Sequence, residues 1–320
     1  MTLGQLSVFV LVARLGSVTA AARALGVSEP AVSQALAALR SQHGDRLLVR
    51  TADGMTLTPG GRRLLPIASQ IVTLGADAEA AVQQAKGGAE TLRVAVTSTI
   101  GEFVANPLLE AFGKRAGGRV DVAAGLARTA ELGVLVANRL ADAALGPRLE
   151  GPNLESTPIF RCSLVAVGAP RQAHHGGPAT WPWLVDPSGA DPDSEPAMLL
   201  RRLGVPDSMV RVFANQTAAW SAAASGAGVS IAVEHLVAPQ LRRHELAHVP
   251  TPLTPMPGCW HVTTPARDRC SSAARSLRHF LGTPGAMQVM RSPGSGVPPS
   301  RFRPPVYVTI WSASDPSPAW

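Results

Sequence analysis

Residues 17–65 read SVTAAARALGVSEPAVSQALAALRSQHGDRLLVRTADGMTLTPGGRRLL, and the spacing of apolar residues here decides the fold of the amino-terminal part. Val18, Ala21, Ala22 and Leu25 form one stripe at helical spacing, which Gly26 stops. Ser28 then caps a further helix whose second position is Pro30, where no backbone donor is needed. That helix turns Val32, Ala35, Leu36 and Leu39 inward. Two short helices joined by Gly26, Val27 and Ser28 make a helix-turn-helix, with small alanines where the backbones must approach closely. Between Gly44 and Thr58, Leu47, Leu48 and Val49 precede the Asp53-Gly54 pair and then Leu57, the pattern of a hairpin and here a wing. Upstream, Leu3, Leu6, Val10 and Ala13 recur at helical spacing until Gly16, and Ser17 supplies the next cap.

A recognition helix enters the major groove with its first turns, so Ser28, Glu29, Pro30, Ala31, Ser33 and Gln34 are the candidates to face DNA. Gln34 is the candidate base reader, because a glutamine amide pairs bidentately with adenine; Ala31 or the ring of Pro30 suits a thymine methyl, and Ser33 a phosphate. Arg50 on the wing suits a phosphate or the minor groove, and Thr58 a phosphate while it caps the next helix. Arg62 and Arg63 fall on a solvated face. The alternative for the whole set is an ordinary solvated helix surface.

Thr58-Pro59 opens a long helix with Leu64, Ile67, Ile71, Leu74, Ala78, Ala81 and Ala85 at three-four spacing. Such a seam calls for a partner helix. The same helix of a second copy is the expected one, with packing on its own domain as the alternative. Gly87 and Gly88 end the helix. From Thr91 the pattern alternates: strands at 92–96, 120–124 and 143–145, helices at 106–112 and 132–140, then segments at 161–167, 183–185, 198–203, 210–213, 217–225 and 229–233 that repeat the scheme less cleanly. The last regular helix is expected at 270–281. Beyond Thr283 the chain is rich in Pro, Ser, Gly and Arg and is expected to be disordered, with an isolated strand at 306–311.

At 320 residues the chain has room for more than one domain, and 46% apolar residues can fill their cores. The net charge of +7 comes almost wholly from arginine, Lys86 and Lys114 being the two lysines, which fits phosphate and carboxylate recognition. Cys162, Cys259 and Cys270 are odd in number and widely spaced, against a disulfide framework or a structural zinc site. The basic-then-apolar order of a signal peptide is missing, and residues 212–233, though uncharged, are too polar to span a bilayer. The expected compartment is the cytoplasm, with no membrane partner.

The run from Ser17 to Leu65, with Ser-Glu-Pro-Ala-Val-Ser at 28–33, an arginine in the wing and Leu-Thr-Pro-Gly-Gly at 57–61, resembles the LysR-type transcriptional regulators. The pattern beyond residue 91 is similar to that family's effector-binding region. The resemblance implies an α/β multi-domain protein: a winged helix-turn-helix at 1–58, a linker and dimerisation helix at 59–88, and a two-lobed sensor of periplasmic-binding-protein type at 91–282. Lobe 1 takes residues 91–161 and 267–282, lobe 2 residues 162–266, and 283–320 is the disordered tail. It also implies promoter DNA, a homodimer joining into a homotetramer, a small-molecule effector and RNA polymerase as partners. Two positions depart from the family's usual wording. Leu39-Arg40 stands where Leu-Glu is usual, and Leu47-Leu48 where Leu-Phe is usual; an Arg40 that reached phosphate would raise nonspecific affinity.

Thr97, Ser98, Thr99, Ile100, Gly101 and Glu102 follow a strand and open a helix, a ready anion site. In the family this junction lines the effector cleft, and the wording here resembles a subgroup tied to sulfur and carbon assimilation. Gly146, after another strand, faces the same cleft by resemblance, as do Arg128, suited to an effector carboxylate, and Gln216 and Thr217, suited to hydrogen bonds from the other lobe. Plain helix capping and a solvated arginine are the alternatives. The expected effector is a small organic or inorganic anion, disfavoured from carrying high charge if Glu102 points inward, and no other cofactor is expected. No catalytic or metal-binding residue is assigned: His174-His175 sit among Pro and Gly, His235, His244, His248 and His261 lack metal spacing, and Ser225–Ser230 precedes a strand instead of following one. The reading is a sequence-specific, effector-controlled transcriptional regulator and not an enzyme. Its alternatives are a nonspecific DNA binder and a ligand binder without regulatory DNA binding.

Overall fold

The computed structural model describes residues 1–51, 54–85, 89–172 and 175–293. Asp53, Gly87, Gly88, His174 and the expected strand at 306–311 lie outside the described residues. The amino-terminal unit begins with α1 (Leu3–Leu15), which ends at Gly16 with φ +66°, a left-handed turn that glycine adopts without a Cβ clash. The Ser17 hydroxyl accepts the Ala20 amide to start α2 (Val18–Leu25). Gly26 repeats the left-handed stop, and the Ser28 hydroxyl accepts the Ala31 amide to start α3 (Glu29–His43). Val32, Leu36 and Leu39 of α3 are buried against Phe9 and Leu11 of α1 and the alanines of α2. The wing is the antiparallel pair β1 (Leu48–Thr51) and β2 (Gly54–Leu57). It is pinned to the rest by the Met55 amide, which donates to the Gly16 carbonyl at 3.0 Å.

The linker helix α4 (Pro59–Ala85) uses its circumference in three ways. Leu65, Ala68 and Val72 are buried and pack with α1. On a different side, Asp77 pairs with Arg139 of the sensor at 3.0 Å. On the remaining side Ile67 is 54% exposed, Ile71 36%, Leu74 67% and Val82 55%, so among the described residues nothing in the protomer covers this apolar face.

The sensor follows as β3 (Glu90–Val96), α5 (Ser98–Phe103), α6 (Ala105–Ala116), β4 (Val120–Leu126), α7 (Thr129–Ala137), β5 (Ala143–Gly146) and β6 (Leu154–Gly168). Then come β7 (Trp183–Val185), α8 (Glu195–Arg202), β8 (Val210–Val212), α9 (Gln216–Ala224), β9 (Val229–Val233), α10 (Glu234–Arg242), β10 (Ala247–His248), β11 (Met256–Pro265), α11 (Ser272–Leu281) and α12 (Pro284–Arg291). The sheet runs β4-β3-β5-β11-β6-β9-β7-β8, with β10 beside β6. On one side β3 is parallel to β4 and β5; on the other β7 is parallel to β8 and β9. The antiparallel pair β6 and β11 joins these two lobes. Strands β10 and β11 and helix α10 go beyond the segments expected from spacing, since Pro257, Gly258 and Pro265 break any alternation in β11 and Pro239 interrupts α10.

The expected disorder from residue 283 is corrected for its first part. The Thr283 hydroxyl accepts the Ala286 amide and opens α12, whose Ala286 and Met290 are fully buried. Their burial joins the helix to the sensor core that also holds Phe280 and Val237. Met290→Ala is therefore expected to destabilise the protein by about 2–5 kcal/mol, the usual range for emptying such a site, read as a lower urea midpoint at unchanged slope.

Candidate functional site

The first turns of α3 project from the protein. Ser28, Glu29, Pro30, Ala31, Ser33 and Gln34 are all exposed, while Val32 between them is fully buried. One helical edge is thus fixed by the core and the other left free for a groove. Arg50 is exposed on β1, the strand that leads to the wing tip. Thr58 corrects the expectation of a phosphate contact. Its hydroxyl donates to Asp45 Oδ1 at 2.9 Å and accepts the Gly61 amide at 3.0 Å, so its single proton is committed to a carboxylate that would itself repel phosphate. The same hydroxyl and the Leu47 amide hold the Asp45 carboxyl below its usual pKa, the amide contributing most. Arg40 turns back, its Nε donating to the Arg46 carbonyl at 3.1 Å, and Arg62 does likewise to Leu57.

The second site lies where the carboxyl ends of the parallel strands of both lobes meet, the usual place for a ligand in such sheets. Three carboxylates cross from one lobe to the other there. Glu102 of α5 accepts the backbone amides of Gln216 and Thr217 at 2.9 Å each, and the Thr217 hydroxyl as well, at the amino end of α9. Asp186, after β7, accepts the Ser98 hydroxyl at 2.5 Å and holds its own loop through Ser188 and Gly189. Asp191 accepts the Thr129 amide at 2.8 Å, at the amino end of α7. Helix amino termini attract negative charge, and here the chain supplies it.

Among the effector residues expected from sequence, Ser98 and Thr217 stand in this network. Gln216 contributes its backbone only: its side chain is buried and donates to the Ile231 carbonyl at 3.0 Å, which corrects its expected role as a side-chain ligand. Ile100 is corrected too, since its side chain lies in the core at 2% exposure. Thr97 and Thr99 are half-buried, and Thr97 precedes α5 without a side-chain cap bond. Gly146 is a close-approach position: a Cβ there would meet Leu132 at 2.8 Å and the Thr97 methyl at 3.0 Å.

Arg128 is half-exposed, but its guanidinium is drawn to Glu131, with Nε at 3.0 Å and Nη2 at 2.9 Å. Glu131 is 4% exposed and also faces Arg23 of α2 at 3.5 Å. One buried carboxylate therefore sits between a cleft arginine and the helix-turn-helix. Asp186, Asp191 and Glu131 were not legible as site residues. The available signal was position, because Asp186 follows β7 as Thr97 follows β3.

The family model "Bacterial regulatory helix-turn-helix protein, lysR family" matches residues 3–62, and "LysR substrate binding domain" matches residues 85–283. The chain is 36% identical over 323 aligned positions, covering 98% of it and all of the relative, to an uncharacterised helix-turn-helix-type transcriptional regulator of Mycobacterium tuberculosis. It is 30% identical to the transcriptional regulator CfxR of Cupriavidus necator, over 88% of this chain and 91% of that one. A solved full-length AphB variant shares the fold at a TM-score of 0.56 and 17% identity, covering 88% of this chain and 98% of that one.

Proposed function

The chain belongs to the LysR family of DNA-binding transcriptional regulators, and we propose that it is switched by a small anion that competes with Glu102 for the amino end of α9. The carrying observation is that carboxylate, gripped by two backbone amides and one hydroxyl of the opposite lobe. An effector carboxylate or phosphate would use the same donors. Entering there, it would displace Glu102 and meet the charges of Asp186 and Asp191, so the lobe arrangement it favours differs from the one held by the protein's own carboxylates. Arg128, released toward the incoming anion, would loosen its hold on Glu131 and leave the shared carboxylate oxygen to Arg23.

On DNA, two copies joined along α4 would set two α3 helices on an inverted repeat, and two such dimers would make the tetramer. Gln34 would read a base while Ser28, Ser33 and Arg50 fix the register on phosphates. Contact with RNA polymerase and action in the cytoplasm belong to the same reading; among the described residues no helix is long and apolar enough to cross a membrane. Footprinting of the purified protein on its own upstream region, with and without small carboxylates and sulfur or phosphate metabolites, tests it. The expected result is a discrete protected repeat whose extent changes with one anion, whereas uniform salt-sensitive coverage would replace this reading with nonspecific binding. Gln34→Ala is expected to lose about 1–3 kcal/mol of discrimination at one base position. Equal loss on scrambled DNA would remove its assigned role.

A further inference from the structure

A cavity of about 690 Å³ lies outside the cleft, between the DNA-binding unit and lobe 1. Its walls come from both: Arg14 at the end of α1 and Ser69 and Thr73 of α4 on one side, the flank of α7 and the 148–154 loop on the other, and Arg269. We propose that it is a second ligand site, built for a small phosphate monoester, whose occupant ties the DNA-binding unit to the sensor.

Charge gives the ligand class. Arg14, Arg148 and Arg269 line it with a single carboxylate among the described residues, that of Glu150. The pairs present are loose and exposed: Arg148 with Glu150 at 3.7 Å and Arg269 with Asp268 at 3.9 Å, while Arg14 has no ion pair among the described residues. The surplus suits the charge of roughly −1.5 to −2 that a phosphate monoester carries at neutral pH. The volume falls in the range of about 300–1,000 Å³ usual for small-molecule pockets.

Gly133 indicates that the space is kept open. It lies inside α7, where glycine is about 0.5–1 kcal/mol worse than alanine, yet a Cβ at this position would meet only Leu154 at an ordinary 3.8 Å. The walls are held in register by the Asp77–Arg139 and Arg23–Glu131 pairs, so a bound anion adds a third tie across the same interface.

The test uses the full-length protein, with glycerol 2-phosphate as probe and glycerol as the uncharged control, followed by calorimetry. A saturable site for the phosphate and none for glycerol is expected, beside any binding that the cleft itself gives. Arg14→Gln with Arg148→Gln, both exposed, should weaken it at least tenfold, and Gly133→Leu, which projects a side chain into the cavity, should weaken it as well. Thr217→Val in the cleft should leave it unchanged, which separates this site from the one under Proposed function. No saturable binding, or binding lost in Thr217→Val and kept in the double arginine variant, would overturn the proposal.

Discussion

Ile71→Asp combined with Leu74→Asp is expected to leave the protein folded but unable to pair along α4, and to cut its affinity for a two-half-site operator by roughly 100- to 10,000-fold. Both side chains stand on the uncovered face of α4 with Ile67 and Val82, while the face that packs on α1 consists of Leu65, Ala68 and Val72. The substitutions therefore leave the protomer's own core alone. Burying an isoleucine or leucine is worth about 1.5–3 kcal/mol, and in a two-fold dimer every residue of the seam counts twice. Placing carboxylates there adds a desolvation cost from both copies. The operator loss follows from linkage: a dimer that has docked one α3 holds the second at high effective concentration, and a monomer does not. Sedimentation velocity checks the first half, and gel shifts on one-half-site and two-half-site DNA check the second. Affinity for the single half-site should barely move. A variant that still sediments as the parent does would place the interface elsewhere and leave the exposed seam without this role.

What could be read from the sequence depended on how local the governing interactions are. The helix-turn-helix was legible nearly to the residue, because Ser17 and Ser28 each bond an amide three positions on and Gly26 needs only its own backbone freedom. The α4 seam was legible for the same reason, being a matter of period. The cleft was legible as a place but not as a set of side chains. Asp186 and Asp191 meet partners 88 and 62 positions away, and no spacing rule reaches that far. Ile100 and Gln216 show the converse error. Each lies beside true cleft groups in sequence, but on a helix a shift of one or two positions turns a side chain from cleft to core. Thr58 failed differently: the cap was correct, but the hydroxyl proton had already gone to Asp45, which lies 13 positions upstream. With α12, the apolar Met287, Val289 and Met290 were diluted in a window dominated by the residues after 293.

Glu102→Ala is expected to unfasten the two lobes and to expose an anion site that the intact protein keeps filled. The substitution leaves the Gln216 and Thr217 amides and the Thr217 hydroxyl without an acceptor. Hydrogen bonds to a charged group contribute about 1.5–3 kcal/mol, and since Glu102 is only half-buried, a total loss near the low end of that range is expected in the urea midpoint. A merely structural contact would stop there. A placeholder for an effector carboxylate predicts more: acetate at roughly 100 mM should restore much of the lost stability in the variant and change the parent little, because binding only to the folded form stabilises it by mass action. The same reasoning fixes the direction for the natural effector. While Glu102 occupies the donors, only the fraction of molecules with an open site can bind, and apparent affinity falls by that fraction. Removing the competitor should tighten binding of the effector found by footprinting at least tenfold, with Glu102→Gln between the two because its amide still offers one acceptor. If acetate leaves the Glu102→Ala variant unmoved and its effector affinity equals that of the parent, Glu102 is a strut between the lobes, and the anion enters elsewhere.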